Sequence, residues 1–200
     1  MKKIKKFKVN IREKRVLALL KFKEGITENQ HELLPEITKE IQEAYEYILP
    51  AAIYETFKPE EINELYNTSK EVGALLNNSM SVSLAAVTIG QNFDDKVQEF
   101  TNSSNVSKAV IWDAIGSEAV EQAANFINRL LKDEANLEAC ELTTRFSPGY
   151  GDWDITQNQK LLEILNTEKI QLSTNECGNL VPQKSITAII GWQKKRKKKR

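Results

Sequence analysis

Two hundred residues, 40% of them hydrophobic, are enough for one domain with its own core and call for no second one. The formal net charge of zero conceals a split. Lys2, Lys3, Lys5, Lys6 and Lys8 load the start, Lys194 to Arg200 load the end, and the body between carries 16 basic against 28 acidic residues. No apolar run reaches the length of a membrane span, and Met1 to Lys8 lacks the apolar stretch of a secretion signal, so the expected location is cytoplasmic. Cys140 and Cys177 are too far apart in sequence for a zinc or redox motif, and no structural disulfide is expected from them.

In chain order, Asn10 followed by Glu13 reads as a capping box, and Ile11, Val16, Leu17, Leu19 and Leu20 continue a short helix that Gly25 ends. A second helix is predicted from about Glu28 to Leu49, with Pro35 early enough to split it and Pro50 as its stop. Its apolar residues Leu33, Leu34, Ile37, Ile41, Ala44, Tyr45 and Ile48 recur at spacings of three and four, which assigns one stripe to the core. Ala51 to Phe57 reads as a strand. Pro59-Glu60-Glu61 opens a helical region interrupted near Thr68 and reaching Leu76.

Val82 to Ile89, apolar and β-branched between Asn77-Asn78-Ser79 and Gly90, reads as a buried strand, followed by a helix over Asn92 to Phe100. The longest regular segment is Ser107 to Glu134, a helix whose broad stripe of Ile111, Ile115, Ala119, Ala123, Phe126 and Leu130 makes it the expected spine. Leu142 to Ser147 is a predicted strand, Gln157 to Leu165 a helix with Thr156 and Gln159 as capping box, and Ile170 to Ser173 and Ser185 to Trp192 are further strands. Helices and strands without a regular βαβ alternation give an α+β expectation: a single domain, a mostly antiparallel twisted sheet packed with helices, one of them long and central. The expected domain covers residues 1–193, with a helical entry segment over 1–50 and a basic, disordered tail over 194–200.

The densest chemistry lies in Arg145-Phe146-Ser147-Pro148-Gly149-Tyr150-Gly151-Asp152-Trp153. Pro148 fixes φ and Gly149 accepts positive φ, so the pair forms a tight turn that lets a ligand approach the main chain. Arg145 offers a planar fork for a carboxylate, and Tyr150 and Trp153 offer ring faces to a flat or cationic group. A strand ending in a Pro-Gly turn beside a surface arginine accounts for the same residues without any ligand. Glu121, with Ser117, Ala124 and Asn128 on one small, polar strip of the long helix, reads from these residues alone as a solvated face.

Taken together, Arg-x-x-Pro-Gly-Tyr after an apolar segment, the Thr156-x-x-Gln159 helix start, Ala86 to Gly90, Trp112 to Glu121, Val181-Pro182 with Lys184 to Ala188, and Gly191-Trp192 resemble the S-adenosylmethionine-binding reactivation domain of cobalamin-dependent methionine synthase. The resemblance spans about residues 45 to 192 and is closest to a free-standing form of that domain. It implies that Arg145 binds the methionyl carboxylate, that Glu121 reaches the ligand with Glu118 as its fallback, and that Pro148, Gly149, Tyr150, Gly151 and Asp152 hold the rest. The chain departs from the family after Tyr150, reading Gly-Asp-Trp where the full-length enzyme tends to read Pro-Ala-Cys. A further family glutamate falls on Ala139, between Glu138 and Glu141, and is not assigned.

The chain has no Asp-x-His-x-x-Gly cobalamin signature, and its one histidine, His31, sits on a charged helix. The resemblance therefore implies an accessory protein that binds S-adenosylmethionine and serves cobalamin carried by a partner, a methionine synthase or other corrinoid protein, with an electron from a flavodoxin-like or ferredoxin-like donor. Neither membrane nor nucleic acid is an expected partner. Two alternatives remain open: a corrinoid-protein interaction module that binds no nucleotide, and an S-adenosylmethionine-dependent methyltransferase acting on another small acceptor. No P-loop, dinucleotide fingerprint, metal cluster or Ser/His/Asp order supports a kinase, dehydrogenase or hydrolase.

Overall fold

The computed structural model describes residues 1–24 and 30–195, with side chains described outside 21–33. In order these are β1 (Lys2–Lys5), α1 (Glu13–Glu24), α2 (Gln30–Ala44), β2 (Ala51–Phe57), a 3-10 turn (Pro59–Glu61), α3 (Asn63–Tyr66), α4 (Lys70–Leu76), β3 (Ser79–Thr88), α5 (Gln91–Asn102), α6 (Val106–Leu137), β4 (Cys140–Leu142), α7 (Gln157–Leu165), a second 3-10 turn (Thr167–Ile170), β5 (Ser173–Thr174), β6 (Leu180–Val181) and β7 (Ser185–Lys194). Five strands form one antiparallel sheet in the order β1-β2-β3-β7-β4, and β5 and β6 form a two-stranded ribbon. The expected α+β class, with one long helix, is the observed one.

The sheet is covered on both faces, which explains why Leu84 to Val87 of β3 are apolar at consecutive positions where a half-exposed strand would alternate with polar residues. Ala52, Tyr54, Ala85, Val87, Ala188 and Ile190 belong to a core shared with α1, α2, α5 and α6. The alternate residues Ile53, Leu84, Ala86 and Ile189 belong to a second core, shared with α3, α4 and α7. The spine α6 is roughly 48 Å long at the usual helical rise. Its inner face is rich in small residues, Ala109, Ala114, Gly116, Ala119 and Ala123, all buried. At Gly116 the absence of a side chain is required: a Cβ there would sit 2.5 Å from the ring of Phe93 on α5.

Several expectations shift. β1 was not expected; its lysines stay on an exposed edge that pairs only with β2, a common way of blunting an open strand. The first fifty residues are therefore not purely helical, and Val9, Ile11 and Val16 join the main core. The helix α1 starts at Glu13, too late for Asn10 to cap it in a box with that residue. α2 continues through Pro35 and stops at Ala44, so Tyr45 leaves the core stripe; it is 37% exposed, and its hydroxyl accepts from the Ile11 amide at 3.1 Å. The expected stop at Gly25 and the tail from 196 onward lie outside the described residues, as do the side chains of His31 and Leu33. Ile170 closes a 3-10 turn, and only Ser173–Thr174 is strand there. Thr156 makes no capping bond; instead its amide and hydroxyl donate to Asp154 Oδ1 at 2.8 and 2.6 Å.

Candidate functional site

The site follows from how β7 loses its neighbour. On one side β7 pairs with β3 along its length; on the other, β4 covers only Trp192 to Lys194. The strand predicted over Leu142 to Ser147 is displaced: β4 covers Cys140–Leu142, and within the predicted span only Leu142 and an isolated bridge at Phe146 pair. Beyond β4, Thr143 N donates to Gly191 O at 2.9 Å, and Phe146 exchanges two main-chain bonds with Ile189, at 3.1 and 2.8 Å. Ser147 Oγ then donates to Thr187 O at 2.6 Å, and the chain turns away. What remains is a stretch of β7 edge with no strand beside it, Ser185 to Thr187, lining a cavity of about 760 Å³. That volume lies in the range of small-molecule sites.

The motif turn is held from within. Gly149 N donates to Trp153 O at 2.8 Å, and Trp153 N to Tyr150 O at 3.0 Å. Gly149 and Gly151 take φ of +91° and +52°, the left-handed region that glycine enters without strain. Trp153 is 1% exposed, packs near Phe146 with ring centroids 6.3 Å apart, and donates its indole N–H to Leu65 O at 3.1 Å. The ring face expected of Trp153 is thus used by the core: the residue anchors the turn.

Four of the seven sequence-proposed residues line the cavity: Glu121 from α6, and Arg145, Pro148 and Tyr150 from the motif. Arg145 Nη2 donates to Glu121 Oε1, with a second contact to Asn125 Oδ1 at 3.3 Å, while its Nη1 is buried with no hydrogen-bond partner among the described residues. Tyr150 is 69% exposed at the mouth. Gly149, Gly151 and Asp152 do not line the cavity. The amide of Gly149 is spent inside the turn. Asp152 points to the start of α4, where it accepts from Ser69 Oγ and from the Lys70 and Glu71 amides at 2.8 and 3.3 Å. Those bonds, the Ser69 hydroxyl first, hold the Asp152 carboxyl below the usual aspartate range. Glu118 is also placed elsewhere: it is 2% exposed and takes Arg12 Nε at 2.7 Å and Gln122 Nε2 at 2.9 Å.

Asp152 therefore serves as a fastener between the motif and the body, with a consequence for acid stability. Its folded carboxyl binds a proton less readily than the unfolded one, so the stabilisation is complete above the ordinary aspartate range and fades as pH falls through the folded value. Urea unfolding across pH 2 to 7 is expected to show a slope in the acid limb that Asp152→Asn reduces. Identical slopes for the two proteins would remove this role.

Sequence reasoning missed the amide-rich wall opposite Arg145: Asn158 on α7, Asn175 and Asn179 before β6, and Ser185 and Thr187 on β7. Asn158 is buried and doubly bonded, donating to Gly178 O at 3.0 Å and accepting from Thr187 Oγ1 at 2.6 Å. Ser185 and Thr187 were within reach, since they fall in the Lys184–Ala188 segment that carries part of the resemblance. Asn158 carried no signal beyond its place in a helix.

No family model matches this sequence, and no curated protein matches it. Among solved structures, the MetH reactivation domain bound to AdoHcy is similar, with a TM-score of 0.64 over 99% of this chain and 80% of that one, at 11% sequence identity. The chain has the fold of that reactivation domain.

Proposed function

We propose that this protein binds S-adenosylmethionine in the cavity beside Arg145 and directs its methyl group to the corrinoid of a separate protein, a methionine synthase or a relative. The observation that carries this reading is the meeting of Arg145 and Glu121 at the cavity wall, 24 residues apart in sequence and on different elements. A guanidinium with a terminal nitrogen still unspent suits the carboxylate of an adenosylated amino acid. Glu121, 42% exposed on its side chain, is available to the ammonium or sulfonium of the same ligand. The likeness in fold to a domain bound to AdoHcy supports the same ligand class.

The sulfonium supplies a transferable methyl. Arg145 and Glu121 fix the amino-acid end, and the walls orient the remainder, so that the protein's contribution is positioning without acid-base chemistry. One electron from a flavodoxin-like or ferredoxin-like donor, together with the methyl, converts cob(II)alamin to methylcobalamin and leaves S-adenosylhomocysteine. Exposed Tyr150 and Ile155 rim the mouth and give a partner an apolar surface to meet. No helix among the described residues is long and apolar enough to cross a membrane.

Titration calorimetry with S-adenosylmethionine tests the first step, and saturable one-to-one binding is expected. Methyl transfer to cobalamin is expected only when the corrinoid protein and a reductant are added. Labelled methyl passing to other metabolites with no corrinoid present would favour an ordinary methyltransferase. Capture of a corrinoid protein with no heat from S-adenosylmethionine would favour a docking module.

A further inference from the structure

Two of the residues that line this cavity, Arg145 and Ser185, each carry a buried side-chain atom, Nη1 and Oγ, without a hydrogen-bond partner among the described residues. The neighbouring polar groups are spent inside the protein: Thr187 Oγ1 on Asn158, Ser147 Oγ on Thr187 O, and Asn175 Oδ1 on the amides of Cys177 and Asn179, both at 3.0 Å. The unspent bonding capacity of the buried wall is thus concentrated at two points. They lie on opposite faces of the β7 edge. Ile186, beside Arg145, packs toward the core of α6, whereas Ser185 shares the alternate face with Thr187, whose hydroxyl reaches α7. Between them the edge itself is open. Ile189 turns both main-chain groups toward Phe146, and the alternation of the ladder puts the Thr187 amide on that same edge, the Thr187 carbonyl being taken by Ser147 Oγ.

We propose that Ser185 is a second recognition point of the cavity, taking a hydroxyl or amine on the nucleoside half of a ligand whose carboxylate lies at Arg145 and whose body crosses the open edge of β7. The inference rests on the adenosyl-ligand reading above. The physical reason is the cost of the hydroxyl as it stands: residue 185 is 9% exposed, and a buried hydroxyl without a partner destabilises the free protein. A ligand that completes its hydrogen bond recovers that cost, which makes Ser185 selective for compounds carrying such a group.

The experiment compares S-adenosylhomocysteine with 5′-methylthioadenosine, which keeps the nucleoside and lacks the amino-acid carboxylate, by calorimetry on the parent, Ser185→Ala and Arg145→Ala proteins. Ser185→Ala is expected to weaken both compounds by a similar factor, about 5- to 10-fold, as for the loss of one neutral hydrogen bond. Arg145→Ala is expected to weaken S-adenosylhomocysteine alone. In the free protein Ser185→Ala should melt at the parent temperature or roughly 1–3 °C above it, because an unsatisfied group has been removed. A structural role would lower it. Unchanged affinity in Ser185→Ala, or a loss confined to S-adenosylhomocysteine, overturns the assignment of Ser185 and leaves the ligand class standing. A parent protein that binds neither compound overturns both.

Discussion

Replacing Arg145 with alanine is expected to weaken S-adenosylmethionine binding by roughly 30- to 150-fold, or about 2–3 kcal/mol, the range for losing hydrogen bonds to a charged partner. The guanidinium stands 22% exposed in the wall, held by Glu121 through one nitrogen, with the other nitrogen buried and unspent. Stability should change far less. A pair whose carboxylate is 42% exposed contributes at most about 1 kcal/mol, so Arg145→Ala should keep its fold and melt within a few degrees of the parent. Arg145→Lys retains the charge but not the fork, and should recover only part of the affinity. Glu121→Gln separates the two sides of the pair. It frees Arg145 of its competing carboxylate while removing the negative charge offered to the ligand's cationic groups, so the loss should be smaller than for Arg145→Ala and should shrink as salt is raised. Binding in Arg145→Ala equal to the parent would remove the carboxylate clamp from this cavity.

Trp153→Ala carries the largest expected effect on stability, about 3–5 kcal/mol, as for truncation of a fully buried aromatic residue. Trp153 is 1% exposed, near Phe146, and its indole N–H is bonded to Leu65 O, so alanine leaves both a cavity and an unpaired carbonyl. Urea unfolding should show a lower midpoint with the slope little changed. Trp153→Phe keeps most of the volume and loses the donor, and should fall between the two. The effect reaches the site because this residue pins the turn carrying Pro148 and Tyr150, so ligand affinity measured well below the melting temperature should fall as well. A loss under 1 kcal/mol would show that the motif turn holds its shape without its anchor.

The ion pair of Arg12 with buried Glu118 illustrates why the sequence misled where it did. Glu118 and Glu121 sit three residues apart on α6, so their helical environments look alike in sequence. Burial and a partner 106 residues away separate them, Glu118 bound to Arg12 and Glu121 turned to the cavity. Asp152 was similarly ambiguous. A carboxylate beside two glycines fits a ligand loop or a distant helix cap equally well, and only the packing of α4 against the turn decides for the cap.

By itself the sequence determined the local facts: the long α6 from its apolar period, β2 and β7 as strands, α7 at its observed bounds, and a tight turn at Pro148-Gly149. Those features depend on spacing and backbone preference, which are properties of neighbours in the chain. The tertiary structure alone decided that β1 joins the sheet edge, that β4 stops short and leaves Ser185 to Thr187 open, and that Asn158 and Ser185 form a wall opposite Arg145. Each of these depends on which distant strand or helix comes to lie alongside. The cavity exists because one side of β7 runs out of partners before β7 ends, and pairing between distant segments is written in no single stretch of residues.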